Sequence, residues 1–233
     1  MRISVVMPTL NEVANIAARA LELRVQSGEW EWIVSDGGSV DGTVEAARGL
    51  GASVVLSALG RGAQLDAGTR LARGEVLLFL HADTALPPGA FDAVRRALLP
   101  PDVAGGNFAL RFDERSPAAY LFEAIYALQQ RLFDTHFGDS ATFVRRRVYD
   151  RIGGFGDAPI MEDYAFSIAL RRYGRSVRLP LHIVTSSRRY HGKPMRTLWT
   201  WTSIMSLYTL GVPPERLARM YRPHREDGFR TRR

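Results

Sequence analysis

Cysteine is absent from the 233 residues, which excludes a disulfide framework, thiolate-held zinc and a thiol nucleophile. Lysine is nearly absent: Lys193 is the only one, so 30 of the 31 basic residues are arginine. No apolar run approaches the roughly 20 residues that span a bilayer. The first apolar stretch, Ile3 to Met7, is too short for a signal-peptide core. No Gly-x-Gly-x-x-Gly follows it and no Walker P-loop occurs, which argues against a dinucleotide dehydrogenase and a P-loop nucleotidase. A phosphatase of the haloacid dehalogenase class needs an aspartate two residues before a second one. Asp83-Thr84-Ala85 does not supply that pair, and position 81 is His. No repeat or linker is visible. These absences predict a cytoplasmic chain with one domain over residues 1–222 and a polar tail over 223–233. Within the domain, residues 1–115 and 116–222 read as two halves.

What is present is 46% hydrophobic, enough for a sizeable core, and carries a net charge of +7. Arginine is the better fork for phosphates and carboxylates. Its clusters fall in the second half: Arg145 to Arg147, Arg171-Arg172 and Arg188-Arg189. They are not interleaved with aromatics in one stripe, so nucleic acid is not the expected partner. An anionic substrate, an anionic lipid surface or a plain solvated face fits the excess.

Val76 to Leu80 are five apolar residues in a row, the pattern of a strand buried on both faces. Before it come strands at Ile3 to Met7, Trp30 to Ser35 and Ser53 to Leu56, with helices between them near Glu12, Thr43 to Leu50 and Ala63 to Arg73. Strands alternating with helices predict βαβ units, a mostly parallel sheet and right-handed crossovers. The ends of strands one, two and four then share one edge, bringing together Pro8-Thr9, Asp36 and Asp83. Beyond Asp83 the spacing predicts a helix over Pro88 to Leu99 and an antiparallel strand over Gly105 to Phe112. A long helix over Pro117 to Phe133, a strand over Ser140 to Val144 and a helix opening at Glu162-Asp163 follow. A strand over Val177 to Thr185 and a Trp-rich helix over Arg196 to Leu210 complete the pattern. That last helix is either a core stripe or, as a minority reading, a peripheral membrane contact through residues 196–212 at the inner face of the membrane.

Five motifs carry chemistry. Pro8-Thr9-Leu10-Asn11-Glu12 gathers short polar groups between a strand and its helix, where a nucleoside can be read, although Thr9 or Asn11 could simply cap the helix. Asp36 precedes Gly37-Gly38, placing an acceptor where the backbone permits close approach. His81-Ala82-Asp83 ends the buried strand with a hard oxygen suited to Mg²⁺ or Mn²⁺ shared with phosphate. Glu162-Asp163 favours a helix start through the dipole, and equally could supply a general base. Arg188-Arg189-Tyr190-His191 could hold an anion, with His191 completing a metal shell.

Taken together, Val5 to Glu12, Asp36 to Thr43, Gly74 to Thr84 and Glu162-Asp163 resemble the family 2 inverting glycosyltransferases, in order and over about residues 1–175. The chain is most similar to a small stand-alone bacterial subgroup reading Phe-Leu-His-Ala-Asp-Thr at the metal motif. The resemblance implies an α/β chain of GT-A (Rossmann-like) fold: a central mostly parallel sheet, flanking helices, antiparallel additions and a helical C-terminal elaboration. It implies a nucleotide-diphosphate sugar as donor, UDP first and GDP second, and a small-molecule, lipid or glycan acceptor. Donor contacts would come from Pro8, Thr9, Leu10, Glu12, Asp36, Arg61, Gln64, His81, Ala82, Asp83, Arg188 and Arg189. Asp83, with His191, would bind Mn²⁺ or Mg²⁺. Asp163 would deprotonate the acceptor with Glu162 beside it, inverting the anomeric carbon. Two departures stand out: His81 replaces the first acid of the usual Asp-x-Asp, and no Gln-x-x-Arg-Trp motif of processive members occurs. A non-catalytic nucleotide-sugar-binding module is the alternative.

Overall fold

The computed structural model describes residues 1–133, 136, 138–187 and 194–220. Its centre is the strand β4 (Val76–Phe79), whose four residues are all buried. It pairs in parallel with β1 (Ile3–Thr9), which pairs in parallel with β2 (Trp30–Asp36), and β3 (Ser53–Leu56) closes that side. The connecting helices are α1 (Val13–Arg24), α2 (Thr43–Gly49) and α3 (Arg61–Leu71). Register sets Thr9 opposite Asp36, so the predicted shared edge forms.

Past β4 come β5 (Thr84–Ala85), α4 (Ala90–Ala97), β6 (Val103–Phe112), α5 (Pro117–Phe133), a 3-10 turn (Gly138–Ser140), β7 (Phe143–Arg145) and α6 (Arg146–Ile152). Then follow α7 (Glu162–Leu170), β8 (Arg175–Thr185), α8 (Pro194–Thr209) and α9 (Pro214–Met220). The described strands form one sheet in the order β3-β2-β1-β4-β7-β6-β8-β5. The short strand β5 escaped the sequence, because two residues carry no periodicity; it exists by pairing antiparallel with Thr185 and Val184. The expected antiparallel strand over Gly105 to Phe112 needs correction. It runs antiparallel to β7 only at Gly105 and Gly106, and lies parallel to β8 along most of its length. Its apparent alternation is misleading too, since all its residues except Arg111 are buried.

Alternate β1 residues feed two cores. Ile3, Val5 and Met7 pack with Leu78, Phe91 and Phe143 on one face, and Val6 packs with Leu77, Phe79, Phe155 and Phe166 on the other. A third cluster joins Leu110, Phe112, Phe122 and Tyr126, with Leu198 and Trp201 packed against it. Three of the arginines are structural. Arg145 donates to the carbonyls of Leu98, Pro100 and Val103, Arg146 to those of Ala72 and Gly74, and Arg95 to those of Met1, Ser27 and Glu29. These forks tie backbone carbonyls to β7, α6 and α4 rather than present a phosphate-binding face. Among the described residues, no helix is long and apolar enough to cross a membrane.

Candidate active site

The carboxyl edge of β1 and β4 opens into a cleft of about 740 Å³. Pro8, Thr9, Leu10 and Glu12 line it from the β1–α1 loop, Arg61 and Gln64 from α3, His81, Ala82 and Asp83 from the end of β4, and Glu162 and Asp163 from α7. Predicted residues from four separate segments therefore meet. Arg188, Arg189 and His191 lie outside the described residues.

Asp36 is nearby but is not part of the cleft wall: it is 1% exposed. Its Oδ1 accepts the N–H groups of Gly38 (2.9 Å) and Ser39 (2.7 Å), and its Oδ2 accepts the hydroxyls of Thr9 (2.7 Å) and Ser39 (2.5 Å). Those four bonds use the four lone-pair positions of a carboxylate. Burial alone raises its pKa, yet the Ser39, Thr9 and Gly38 donors outweigh that and hold it below the usual value. Asp36 thus shapes the loop through Thr9 and Ser39. Gln64 is similarly engaged, its amide donating to the carbonyls of Thr9 (2.7 Å) and Ser35 (3.1 Å). The expected side-chain cap on α1 by Thr9 or Asn11 is not formed, because Thr9 is turned to Asp36 and Asn11 accepts from the Val40 N–H. Asp41 instead accepts the N–H groups of Val13 and Thr43, stitching α1 to α2.

The loop holding Asp83 is fixed through its backbone. The Thr84 N–H donates to the His81 carbonyl, the Ser186 N–H to the Asp83 carbonyl, and buried Arg19 to the Ala82 carbonyl. Among the described residues, no group of three or more His, Asp or Glu side chains forms a ready metal site. The chemistry present fits a partial one: the hard oxygen of Asp83 on the cleft wall, with the remaining ligands left to phosphate oxygens and water. His81 is turned toward an acid the sequence reading passed over, its Nδ1 lying 3.3 Å from Asp139 Oδ1. Asp139 is also on the cleft wall. Only tertiary structure joins positions 81 and 139, and no local pattern marks the second.

Glu162 and Asp163 occupy the first turn of α7, after Met161 at φ +66°. A left-handed methionine is an uncommon backbone state, and such states gather at functional sites. Glu162 is buried and pairs with Arg61 at 3.3 Å. Asp163 accepts the N–H groups of Gly138 (2.6 Å) and Tyr164 (2.7 Å). A Cβ at position 138 would sit 3.2 Å from the His81 ring and 3.3 Å from Asp163 Oδ2, so the glycine lets this backbone come close to both. Burial, then the neighbouring Glu162 charge, push the Asp163 carboxyl up to about 6, against the opposing pull of Arg61 and the two N–H donors. A carboxylate that titrates near neutrality on a cleft wall has the property of a general base.

The loop leading into α7 is anchored from behind. Asp66 accepts the Tyr149 hydroxyl and the N–H groups of Phe155 (2.9 Å) and Gly156 (3.2 Å). Asp66→Ala strands three donors and is expected to lower the unfolding free energy by about 2–3 kcal/mol, read from the urea midpoint. A midpoint equal to wild type would show that the anchor carries no weight.

The family's sequence profile, Glycosyl transferase family 2, matches residues 4–153. The chain belongs to glycosyl transferase family 2. A relative, the PGL/p-HBAD biosynthesis glycosyltransferase of Mycobacterium bovis, is 26% identical over 208 residues, covering 84% of this chain and 79% of that one. The Mycobacterium tuberculosis protein of the same description matches equally. Among solved structures, glucosyl-3-phosphoglycerate synthase of Mycobacterium tuberculosis with Mn²⁺, UDP and glucosyl-3-phosphoglycerate has a TM-score of 0.66 at 20% identity, covering 91% of this chain and 81% of that one. The mannosyltransferase PcManGT of Pyrobaculum calidifontis, in complex with GDP-Man and Mn²⁺, has a TM-score of 0.64 at 21% identity and 87% coverage of this chain. This family 2 chain spans 61% of that mannosyltransferase. At such identities the likeness establishes the fold, which is GT-A. The protein is a glycosyltransferase.

Proposed function

We propose that this glycosyltransferase moves one sugar from a nucleoside-diphosphate sugar to an acceptor hydroxyl with inversion at the anomeric carbon. The observation carrying this is the position of Asp163: a base poised near neutrality on the same cleft wall as the Pro8–Glu12 loop and Asp83. The acceptor hydroxyl gives its proton to the Asp163 carboxylate, its oxygen bonds to the anomeric carbon, and the bond to the diphosphate breaks. Arg61, on the cleft wall and paired with Glu162, adds positive charge that favours the departing diphosphate. A divalent cation would be held by Asp83 and would neutralise charge on the leaving group; the Mn²⁺ in the solved neighbours supports this. The neighbours' UDP and GDP-Man complexes support either base, with UDP the first choice. The His81-Ala82-Asp83 form supports placement in a small stand-alone subgroup, and the lack of a Gln-x-x-Arg-Trp motif supports transfer of a single sugar rather than polymer synthesis.

A thermal-shift screen of UDP, GDP, ADP and CDP with and without Mn²⁺ or Mg²⁺ tests the donor site. One diphosphate plus metal is expected to stabilise the fold by about 2.7 kcal/mol at a hundred times its Kd. No shift with any nucleotide, with or without metal, would remove the reading. Donor consumption then separates an enzyme from a binding module, and Asp163 favours the enzyme.

A further inference from the structure

The cleft continues past Asp163. There its wall is built by α5 and α8, chiefly Phe122, Ile125, Tyr126, Leu198, Trp201 and Met205. The rings lock edge-on, with Trp201 at 6.1 Å from Phe122 and 5.7 Å from Tyr126. A third edge-on contact, Tyr208 to Tyr164 at 5.5 Å, fastens α8 to the start of α7. Tyr164 follows Asp163 and donates its N–H to that carboxylate. The base and the apolar wall are therefore held by the same packing. None of the described cleft-lining residues from α5, α8 or α9 is charged.

We propose that the acceptor is an amphipathic alcohol or phenol, with its hydroxyl at Asp163 and its apolar body, alkyl or aromatic, against the α5–α8 wall. This rests on the transfer reading above. A cleft of about 740 Å³ has room for a body of that size beside a donor. A polyhydroxylated or anionic acceptor would leave water for a wall that returns few hydrogen bonds. A phosphorylated one needs paired cations, which the described residues of this wall do not supply. The same two helices also expose Leu121, Leu128, Met195 and Trp199 to solvent.

The test is steady-state transfer to a series of 1-alkanols from butanol to decanol and to 4-alkylphenols, beside glycerol, glucose and 3-phosphoglycerate, with donor hydrolysis in the absence of acceptor as the reference. Across the first several carbons, kcat/KM is expected to rise about fourfold per CH₂, equivalent to ~0.8 kcal/mol. The relative steepness of the alkanol and alkylphenol arms tells a chain from a ring. Met205→Glu and Ile125→Asp, at half-buried lining positions, are expected to flatten that dependence and raise KM for decanol at least tenfold, with Met205→Leu keeping it. Preferred transfer to glycerol, glucose or 3-phosphoglycerate, or a chain-length dependence that survives both charged substitutions, overturns the proposal and leaves sugar transfer standing. If no donor is bound or consumed under any condition, the transfer reading fails, and this proposal with it.

Discussion

Asp163→Asn is expected to lower kcat about a thousandfold with the donor KM near wild type, the loss typical of a missing general base. Asparagine keeps the shape and one acceptor oxygen but cannot take a proton. Both carboxylate oxygens accept backbone N–H groups, from Gly138 and Tyr164, so asparagine keeps one of these bonds and turns its NH2 toward the other donor. The wild-type rate should rise with pH and level off above the Asp163 titration at about 6, and in Asp163→Asn that limb should vanish. The same shift has a stability consequence of known sign. A carboxyl whose folded pKa lies above its ordinary 3.8 favours the fold most when protonated. Its contribution is complete below pH 4 and is lost as pH rises through about 6. At pH 7 the native fold therefore carries an ionised group it disfavours, so wild-type stability should fall between pH 4 and 7 through this group, and in Asp163→Asn, which lacks the titration but loses one N–H bond, that part of the pH dependence should vanish. A variant with wild-type kcat, or with an intact pH limb, would assign the base elsewhere.

The parts of this molecule that the sequence made legible are those governed by local pattern. Val76 to Leu80 read as a doubly buried strand because nothing polar interrupts it, and β1 to β4 followed from strand–helix alternation. Parallel register then necessarily drew Thr9, Asp36 and Asp83 to one edge. What stayed hidden depends on contacts between distant segments. Pro8, Thr9 and Glu12 could be named as a loop, but not the engagement of all four Asp36 lone-pair positions, which ties Thr9 and Ser39 together. Asp139 meets His81 across 58 positions, and Gly138 reaches Asp163 across 25. Nor could periodicity say which of Trp199 and Trp201 faces inward: two positions apart they point to opposite sides of the helix, and only the partner helix makes Trp201 a cleft residue and leaves Trp199 75% exposed. Arginine counts misled for a related reason, since a fork bound to loop carbonyls and a fork offered to phosphate are the same letters.

Asp83→Ala should reduce metal-dependent nucleotide affinity at least a hundredfold, about 2.7 kcal/mol, and leave the protein folded. The size follows from the lack of redundancy: in an Asp-x-Asp site a second acid stands two residues away, whereas here that place holds His81, which is turned toward Asp139. The described residues form no three-ligand cluster that could keep a cation after Asp83 is gone. The folded state is protected because the loop is held through the carbonyls of His81, Ala82 and Asp83, which the substitution retains. Calorimetric titration of UDP or GDP at fixed Mn²⁺ and in excess chelator gives the metal-linked part of the affinity directly. In wild type the two conditions should differ widely, and in Asp83→Ala they should nearly coincide. His191→Ala in the same assay assigns any remainder. If Asp83→Ala keeps the wild-type difference between Mn²⁺ and chelator, the cation sits elsewhere, and the carboxylate at the end of β4 serves the loop rather than the donor.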